Sequence, residues 1–241
     1  MAGKMRYVAL AAVGLVAGSM YLYQNLGGII TRTAEKIASD ALGVTVAIGS
    51  IDVSLSEKKV TVNTLKIGNP PGYRNAYAIT ADKLLIGLNT ASKQLIDFND
   101  IQVKGSIVNL EVNEKGMNIV DLKNLANRKE QKGNVGSEQI RVIVQHMVID
   151  ASVINPSTTL FKADIKPIRM PAVKLSNIGK GNGLDAGSAI VEVLTQYLSA
   201  VEKEAGQGGM LPNVLGVDDA KKNMGDQLGV KATDGLKKQG C

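Results

Sequence analysis

The stretch Val60-Thr-Val-Asn-Thr-Leu-Lys-Ile67 decides how most of this chain folds. Its apolar residues alternate with polar ones on both sides of Asn63-Thr64, where the pattern changes phase. Alternation with a period of two is typical of a β-strand with one apolar and one solvated face. The change of phase predicts a β-bulge at Asn63-Thr64.

The same alternation recurs along most of the chain from Val44 to Asn177, with Pro167 and Pro171 suited to an edge position. Successive strands of this kind predict a long, twisted antiparallel sheet with one apolar face. The apolar residues that alternate outside the opening stretch are Val44, Val46, Ile48, Ile51, Val53, Leu55, Leu84, Ile86, Leu88, Ile101, Val103, Val108, Leu110, Val112, Ile140, Val142, Val144, Met147, Ile149, Ala151 and Val153.

Three segments have helical spacing of their apolar residues, so the expected fold class is α+β with a few short helices. They are Ile29–Leu42, Met117–Ala126 and Ala189–Val201. Gly43 follows the first where a C-terminal capping glycine is expected. The charged stretch Asn127–Asn134 after the second predicts a solvated loop.

The N-terminus differs from the rest because no charged residue occurs between Tyr7 and Thr31, while Lys4 and Arg6 precede this run. A helix of ~20 residues spans the hydrocarbon core of a bilayer, and flanking basic residues stay cytoplasmic. We expect an uncleaved single-pass anchor in residues 1–28 that sends the rest of the chain across the membrane. Its lipid-facing residues would include Val8, Leu10, Val13, Leu15, Val16 and Leu22.

A cleaved signal peptide remains the alternative, because Ala17-Gly-Ser19 offers small residues at a plausible cleavage position. Both interpretations export residues 29–204 as the folded α+β domain. Residues 205–241 are rich in glycine and lysine and predict a flexible tail.

Composition excludes much chemistry. The 241 residues include one histidine, His146, one cysteine, Cys241, two Phe, six Tyr and no Trp. Zinc sites of the usual type need three or four Cys or His ligands, and base stacking needs aromatic side chains. Gly181-Asn-Gly-Leu-Asp-Ala186 fits a dinucleotide-binding pattern, but no strand follows it, so it predicts a turn and a helix start. We therefore expect a protein that is not an enzyme and that has no cofactor, no metal site and no nucleic-acid partner.

An extensive apolar sheet face must be covered or remain as a groove. A groove lined by Val, Ile and Leu without polar groups suits acyl chains, whereas a closed core is the alternative that alternation alone leaves open. The candidate lipid-facing residues are Val53, Leu55, Val60, Val62, Leu84, Ile86, Leu88, Ile101, Val103, Val108, Leu110 and Val112.

Residues 5–204 resemble the AsmA-like family of bacterial envelope proteins anchored in the inner membrane. One departure is Ser106, where the family pattern carries a proline. The motifs that carry the resemblance, in order, are Leu42-Gly-Val-Thr-Val46, Ile51-Asp-Val-Ser-Leu55, Leu65-Lys-Ile-Gly-Asn-Pro-Pro-Gly-Tyr73, Ala81-Asp-Lys-Leu84, Gln102-Val-Lys-Gly-Ser-Ile107, Glu114-Lys-Gly-Met-Asn118 with Leu122, and Leu175-Ser-Asn-Ile-Gly179.

This resemblance implies a twisted β-rod with a lipid-accommodating groove, akin to the chorein-type bridge proteins that move lipids between membranes. It also implies an inner-membrane protein, with its N-terminus cytoplasmic and its bulk periplasmic, that binds phospholipid acyl chains and assists lipid transport or outer-membrane biogenesis. This chain is several-fold shorter than the large family members, so transport would need a partner protein or self-association. A non-enzymatic periplasmic scaffold that binds another envelope protein is the alternative function.

Overall fold

The computed structural model describes residues 27–54, 56–92, 95–131, 141–160 and 165–207. Residues 1–26 of the predicted anchor, with its lipid-facing residues, and residues 208–241 of the predicted tail lie outside these ranges. Residues 27–28, assigned to the anchor, and 205–207, assigned to the flexible tail, are helical. Within them the chain is a mixed α+β structure with a large twisted sheet, as predicted, and no helix is both long and apolar enough to span a membrane. The elements are α1 (Gly27–Leu42), β1 (Val46–Ser54), β2 (Lys59–Gly68), β3 (Tyr77–Ala91), β4 (Leu95–Lys104), β5 (Ile107–Asn113), β6 (Gly116–Met117), α2 (Asn118–Gln131), β7 (Arg141–Ile149), β8 (Ser152–Thr158), β9 (Ile168–Met170), β10 (Val173–Ile178), β11 (Leu184–Asp185) and α3 (Ala186–Gln207).

Helix α1 ends as the sequence predicts. Gly43 follows its last residue with φ 70°, and its N–H donates to the carbonyl of Ser39 at 2.8 Å. The helix also protects the edge strand β1, because the Ser39 hydroxyl and the Glu35 carboxylate accept hydrogen bonds from the backbone N–H groups of Val46 and Ile48, each at 2.8 Å. These contacts satisfy donors that an open sheet edge would expose.

The other two helices are longer than expected. Helix α2 continues through Gln131, so the prediction of a loop from Asn127 onward was wrong for the first half of that stretch. Helix α3 begins at Ala186, where the glycine pattern predicted a helix start. The Asp185 carboxylate accepts a hydrogen bond from the Ser188 N–H at 3.0 Å and so caps this helix.

The sheet branches at the long strand β3. Strands β1, β2 and β3 form an antiparallel meander, and beyond β3 the sheet continues as β4–β7–β10 on one branch and β5–β8–β9 on the other. The prediction of a wholly antiparallel sheet was wrong, because β4 pairs with β7 and β5 with β8 in parallel. A parallel return needs a long crossover, and the chain between β5 and β7 provides it with β6 and α2.

The two branches consist of the same three strands, each interrupted once: β4 continues as β5, β7 continues as β8, and β9 continues as β10. Strand β3 pairs with β4 at Lys83–Lys104 and with β5 at Thr80–Ile107, which is one continuous register across the interruption at Gly105. Strands β7 and β8 keep one register against β4 and β5 in the same way. The sheet therefore contains two long parallel strands that are both broken at the same level.

At this level the buried face of the sheet changes. Paired residues in neighbouring strands share a face, and residues two apart along a strand do too. In β3 the buried side chains are Ile79 and Ala81 before this level, then Ile86 and Leu88 after it, so the apolar residues pass to the opposite face. We call this level the switch line. The residue pairs on it are Gly49–Ser50, Asn63–Thr64, Asp82–Lys83, Lys104–Gly105, Asp150–Ala151 and Pro171–Ala172.

The predicted β-bulge at Asn63-Thr64 was wrong for the same reason. The pairing of β2 with both neighbours continues from Asn63 to Leu65 without a shift, so no residue is inserted there. Thr64 instead has φ 55°, and the phase of the apolar pattern changes because the buried face changes.

On the first side of the switch line the apolar face packs against helices, and we call it the helix face. Helix α1 contacts β1, helix α2 contacts β5 and β6, and helix α3 contacts β9 as well as both other helices. Helix α3 also contacts β7, β10 and β11, which lie beyond the switch line. Val108, Leu110 and Ile154 on this face are fully buried.

Substitution of Gly105 tests the switch line. Gly105 has φ 65°, and an added Cβ would lie 2.1 Å from the Asp82 Oδ2 and 2.9 Å from the Asp82 Cβ. We expect G105A to lower the free energy of unfolding by ~2–3 kcal/mol, measured by urea denaturation. The matched control is G181A, where φ is 94° but no atom lies within 4 Å of the added Cβ. A cost of only about 1 kcal/mol for both variants would contradict a close contact at Gly105.

Candidate functional site

Beyond the switch line, four cross-strand rows of apolar side chains follow one another, the first two of them on the face opposite the helix face. We call these rows the aliphatic strip. All members are apolar, and row by row they are Ile51, Val62, Leu84, Val103, Ile149 and Val173; Val53, Val60, Ile86, Ile101, Met147 and Leu175; Leu88, Phe98, Val144 and Ile178; and Ala91, Ile96, Val142 and Leu184.

A local irregularity between β3 and β4 keeps the strip residues of β4 on one face. The register shifts at Gly87/Leu88, and Asn99 and Asp100 on β4 are both exposed on the outer face. The extra residue restores the phase, so Phe98 and Ile101 both point into the strip. A Cβ at Gly87 would lie 2.6 Å from the Asn99 Oδ1 and 2.5 Å from an Asp100 carboxylate oxygen, so this position accommodates glycine best.

The strip is fully buried in the middle of its far rows, and its partly exposed members are Val53, Leu84, Ala91, Val173 and Leu184. Ile96, Phe98 and Val142, in the rows farthest from the switch line, have no exposed surface. Leu84 lies in the row next to the switch line, near the middle of the sheet, and is half-buried. Solvent therefore reaches the strip at Leu84. Branched aliphatic side chains without a polar neighbour in the rows offer contact to hydrocarbon and nothing for polar chemistry.

The structure divides the predicted lipid-facing residues between two faces. Val108, Leu110 and Val112 lie on the helix face, at most 1% exposed, and so share no surface with the others. Leu55 lies outside the described residues. The members that fall within the strip are Val53, Val60, Val62, Leu84, Ile86, Leu88, Ile101 and Val103, of which only Val53 and Leu84 are half-buried.

The sequence contained a signal for this division. Val103 and Val108 are five residues apart, so regular alternation through Gly105 places them on opposite faces. Ile96, Phe98 and Val142 were missed as strip residues because only cross-strand pairing shows that they continue the same rows.

A buried hydrogen-bonded cluster holds the two strand breaks together. The Tyr197 hydroxyl of α3 lies 2.8 Å from the Ser106 hydroxyl and donates to the Ser152 hydroxyl at 3.1 Å, and Ser152 donates to the Asp150 carbonyl at 3.1 Å. Ser106, Ser152 and Tyr197 are each at most 4% exposed. Burial raises the pKa of Tyr197 above its usual range, and the hydrogen bonds to the serines partly oppose that rise.

A second cluster fixes the loop between β2 and β3, which contains the Asn69-Pro-Pro-Gly72 signal. The Glu111 carboxylate, 1% exposed, accepts hydrogen bonds from the Arg74 N–H at 2.8 and 2.9 Å, the Asn75 N–H at 3.0 Å and the Asn75 side-chain amide at 3.1 Å. The Asn118 amide donates to the Asn69 Oδ1 at 2.7 Å and accepts from the Glu111 N–H at 2.9 Å. Glu111 is thus a structural carboxylate whose partners are loop amides.

The same loop is also attached to helix α2. The Tyr73 hydroxyl donates to Asp121 at 2.7 Å, and burial together with this hydrogen bond raises the pKa of Tyr73. His146 is exposed, with its Nδ1 3.3 Å from the Asn99 carbonyl. Across the described ranges, no three His, Cys, Asp or Glu side chains group closely enough to hold a metal ion.

Removal of the Tyr197 hydroxyl tests the first cluster. We expect Y197F to lower the free energy of unfolding by about 1–3 kcal/mol at pH 7, because Ser106 then loses a buried partner. The raised pKa means that the hydroxyl's contribution is present below pH ~10, the value of an unfolded tyrosine, and is lost as the pH rises further. Urea titrations should show a smaller difference in the free energy of unfolding between the wild type and Y197F at pH 11 than at pH 7. A larger difference at pH 11 would contradict this assignment.

Neutralisation of Glu111 tests the second cluster. We expect E111Q to cost about 2–3 kcal/mol, because an amide nitrogen then faces backbone N–H donors that a carboxylate had satisfied. Hydrogen exchange should accelerate at Arg74 and Asn75. The exposed neighbour E114Q is the control and should leave both measurements unchanged, and equal effects of the two substitutions would refute a specific role for Glu111.

Comparison of the chain with protein-family models, with curated proteins and with solved structures gave no match. The AsmA-like resemblance therefore stays a prediction from the sequence motifs, and the function has to be argued from the geometry of the aliphatic strip.

Proposed function

We propose that this chain is a non-enzymatic envelope protein, anchored in the bacterial inner membrane, whose exported domain binds phospholipid acyl chains along the aliphatic strip. One observation carries the proposal: two successive six-strand rows on one sheet face contain no polar side chain, and two further apolar rows follow them. The anchor itself is proposed from the uncharged run between Tyr7 and Thr31 and the basic residues before it.

The position of the strip supports this function. The strip and the helix-covered residues belong to one hydrophobic core, and the strip continues that core along the sheet beyond the switch line. The strip is six strands wide in its first two rows, or roughly 24 Å at ~4.8 Å per strand. That width accommodates several acyl chains side by side but does not cross an envelope, so any lipid transport requires a partner protein or self-association.

A second function, a scaffold that binds another envelope protein, is favoured by a different observation. Most strip residues are buried by the chain itself, as Val60 at 1% and Phe98 at 0% illustrate. A strip that serves only as a core needs no ligand. The two functions differ in one testable respect, which is whether hydrocarbon enters the strip at Leu84.

Neighbouring leucines on β3 provide the test. Leu84 faces the strip and Leu85 the outer face, and both are half-buried. We expect L84Q to reduce photocrosslinking of the full-length protein, reconstituted in vesicles, to a phospholipid with a diazirine in its acyl chain by at least tenfold. Burying an unpaired amide in hydrocarbon is unfavourable. L85Q should crosslink like the wild type, and the crosslinked peptides should come from β2, β3 and β4.

The outcomes separate the two functions. Crosslinks restricted to residues 1–28, or equal crosslinking of L84Q and L85Q, would refute lipid binding on the strip. Thermal unfolding of both variants checks that each is folded. A stoichiometric protein crosslink in native membranes that survives L84Q would instead support the scaffold.

A further inference from the structure

The face that carries the aliphatic strip changes character across the switch line. Along β3, Asp82 lies two residues before Leu84, and Thr80 lies two residues before Asp82. The Thr80 row contains two basic residues and the exposed Ile107, and we call it the basic row. Following the strand pairing, its members are Ala47, Lys66, Thr80, Ile107, Val153 and Arg169.

The two cations of this row stand at its flanks. Lys66 on β2 is half-buried, with its Nζ 5.2 Å from the centroid of the Tyr77 ring, and Arg169 on β9 is exposed. Four strand spacings separate them, or roughly 19 Å. Ile107 lies between them and is 37% exposed, which makes it one of the two large apolar side chains exposed among the described residues.

An acid occupies the middle of the border between strip and basic row. The Asp82 side chain lies over Gly105, since a Cβ on that glycine would meet the carboxylate. Anionic groups are therefore disfavoured directly above β3 and favoured near Lys66 and Arg169. The distance from the Leu84 row to the basic row is four residues, or roughly 13 Å along the strand.

We propose that the basic row receives the anionic headgroups of phospholipids whose acyl chains lie on the aliphatic strip, so that the domain prefers anionic over zwitterionic lipid. This inference rests on the proposed function and adds the headgroup class and the orientation of the lipid. The apolar rows and the cations share one sheet face, with the half-buried Leu84 between them as the point of entry, which matches the layout of an amphiphile. Lys66 and Arg169 attract the net negative charge of an anionic headgroup, which a zwitterionic headgroup lacks because its own cation neutralises the phosphate.

The test is a competition between two lipids on the full-length protein. Phosphatidylglycerol and phosphatidylcholine with identical acyl chains, each bearing the acyl diazirine, are mixed equally in vesicles, and crosslinked adducts on β2–β4 peptides are counted by mass spectrometry. We expect the wild type to favour phosphatidylglycerol, and the double variant K66Q/R169Q to lose most of that preference, at roughly fivefold per charge. D82N should increase it, and 0.5 M salt should reduce it.

The matched control is K83Q/K104Q, which removes two exposed lysines from the opposite face of the same sheet. This variant has the same net charge as K66Q/R169Q and should keep the wild-type preference. Equal use of the two lipids by the wild type, or equal effects of the two double variants, would overturn the headgroup assignment while leaving acyl-chain binding intact. Absence of any adduct on β2–β4 would refute the proposed function itself.

Discussion

The hydroxyl of Tyr197 holds together the part of the sheet on which everything else depends. Two long parallel strands break side by side, at Ser106 and at Ser152, and each break removes regular pairing from the middle of a sheet. The tyrosine of helix α3 lies between the two serine hydroxyls at 2.8 and 3.1 Å in a nearly water-free environment. Hydrogen bonds of this kind are most valuable where the alternative is an unpaired buried polar group.

The breaks allow one sheet to have two apolar faces. A strand with unbroken alternation buries a single face, and a sheet of such strands forms a single core with whatever covers it. Here the apolar residues change faces at the same level in every strand that crosses the switch line. Helices cover the first apolar face, and helix α3 also contacts β7, β10 and β11, whose apolar residues join the aliphatic strip in the same hydrophobic core.

Much of the fold was readable from the sequence because local chemistry determines it. The strands follow from alternation, the end of α1 follows from Gly43, and the start of α3 follows from the turn before Ala186. Parallel pairing of β4 with β7 was not readable, since it depends on which distant strand lies alongside, and alternation is identical for both directions. The extent of α2 was missed because its last turn is charged on all sides, which resembles a loop in sequence.

The sequence predicted that the candidate surface is aliphatic, but it did not predict which of the aliphatic residues share one face of the sheet. Sequence reasoning selected aliphatic residues on both sides of Gly105 as one set, because alternation within each strand says nothing about how the phase relates between strands. The pairing of Leu84 with Val62 and Val103 shows which residues share a face, and the same pairing removes Val108, Leu110 and Val112 from it.

Ser106 links the break in the sheet to the packing of helix α3. It lies where β4 becomes β5, and its hydroxyl is 2.8 Å from the Tyr197 hydroxyl of helix α3. The strand break is thus held by a side-chain hydrogen bond. The position of the aliphatic strip therefore depends on how helix α3 packs against the opposite face.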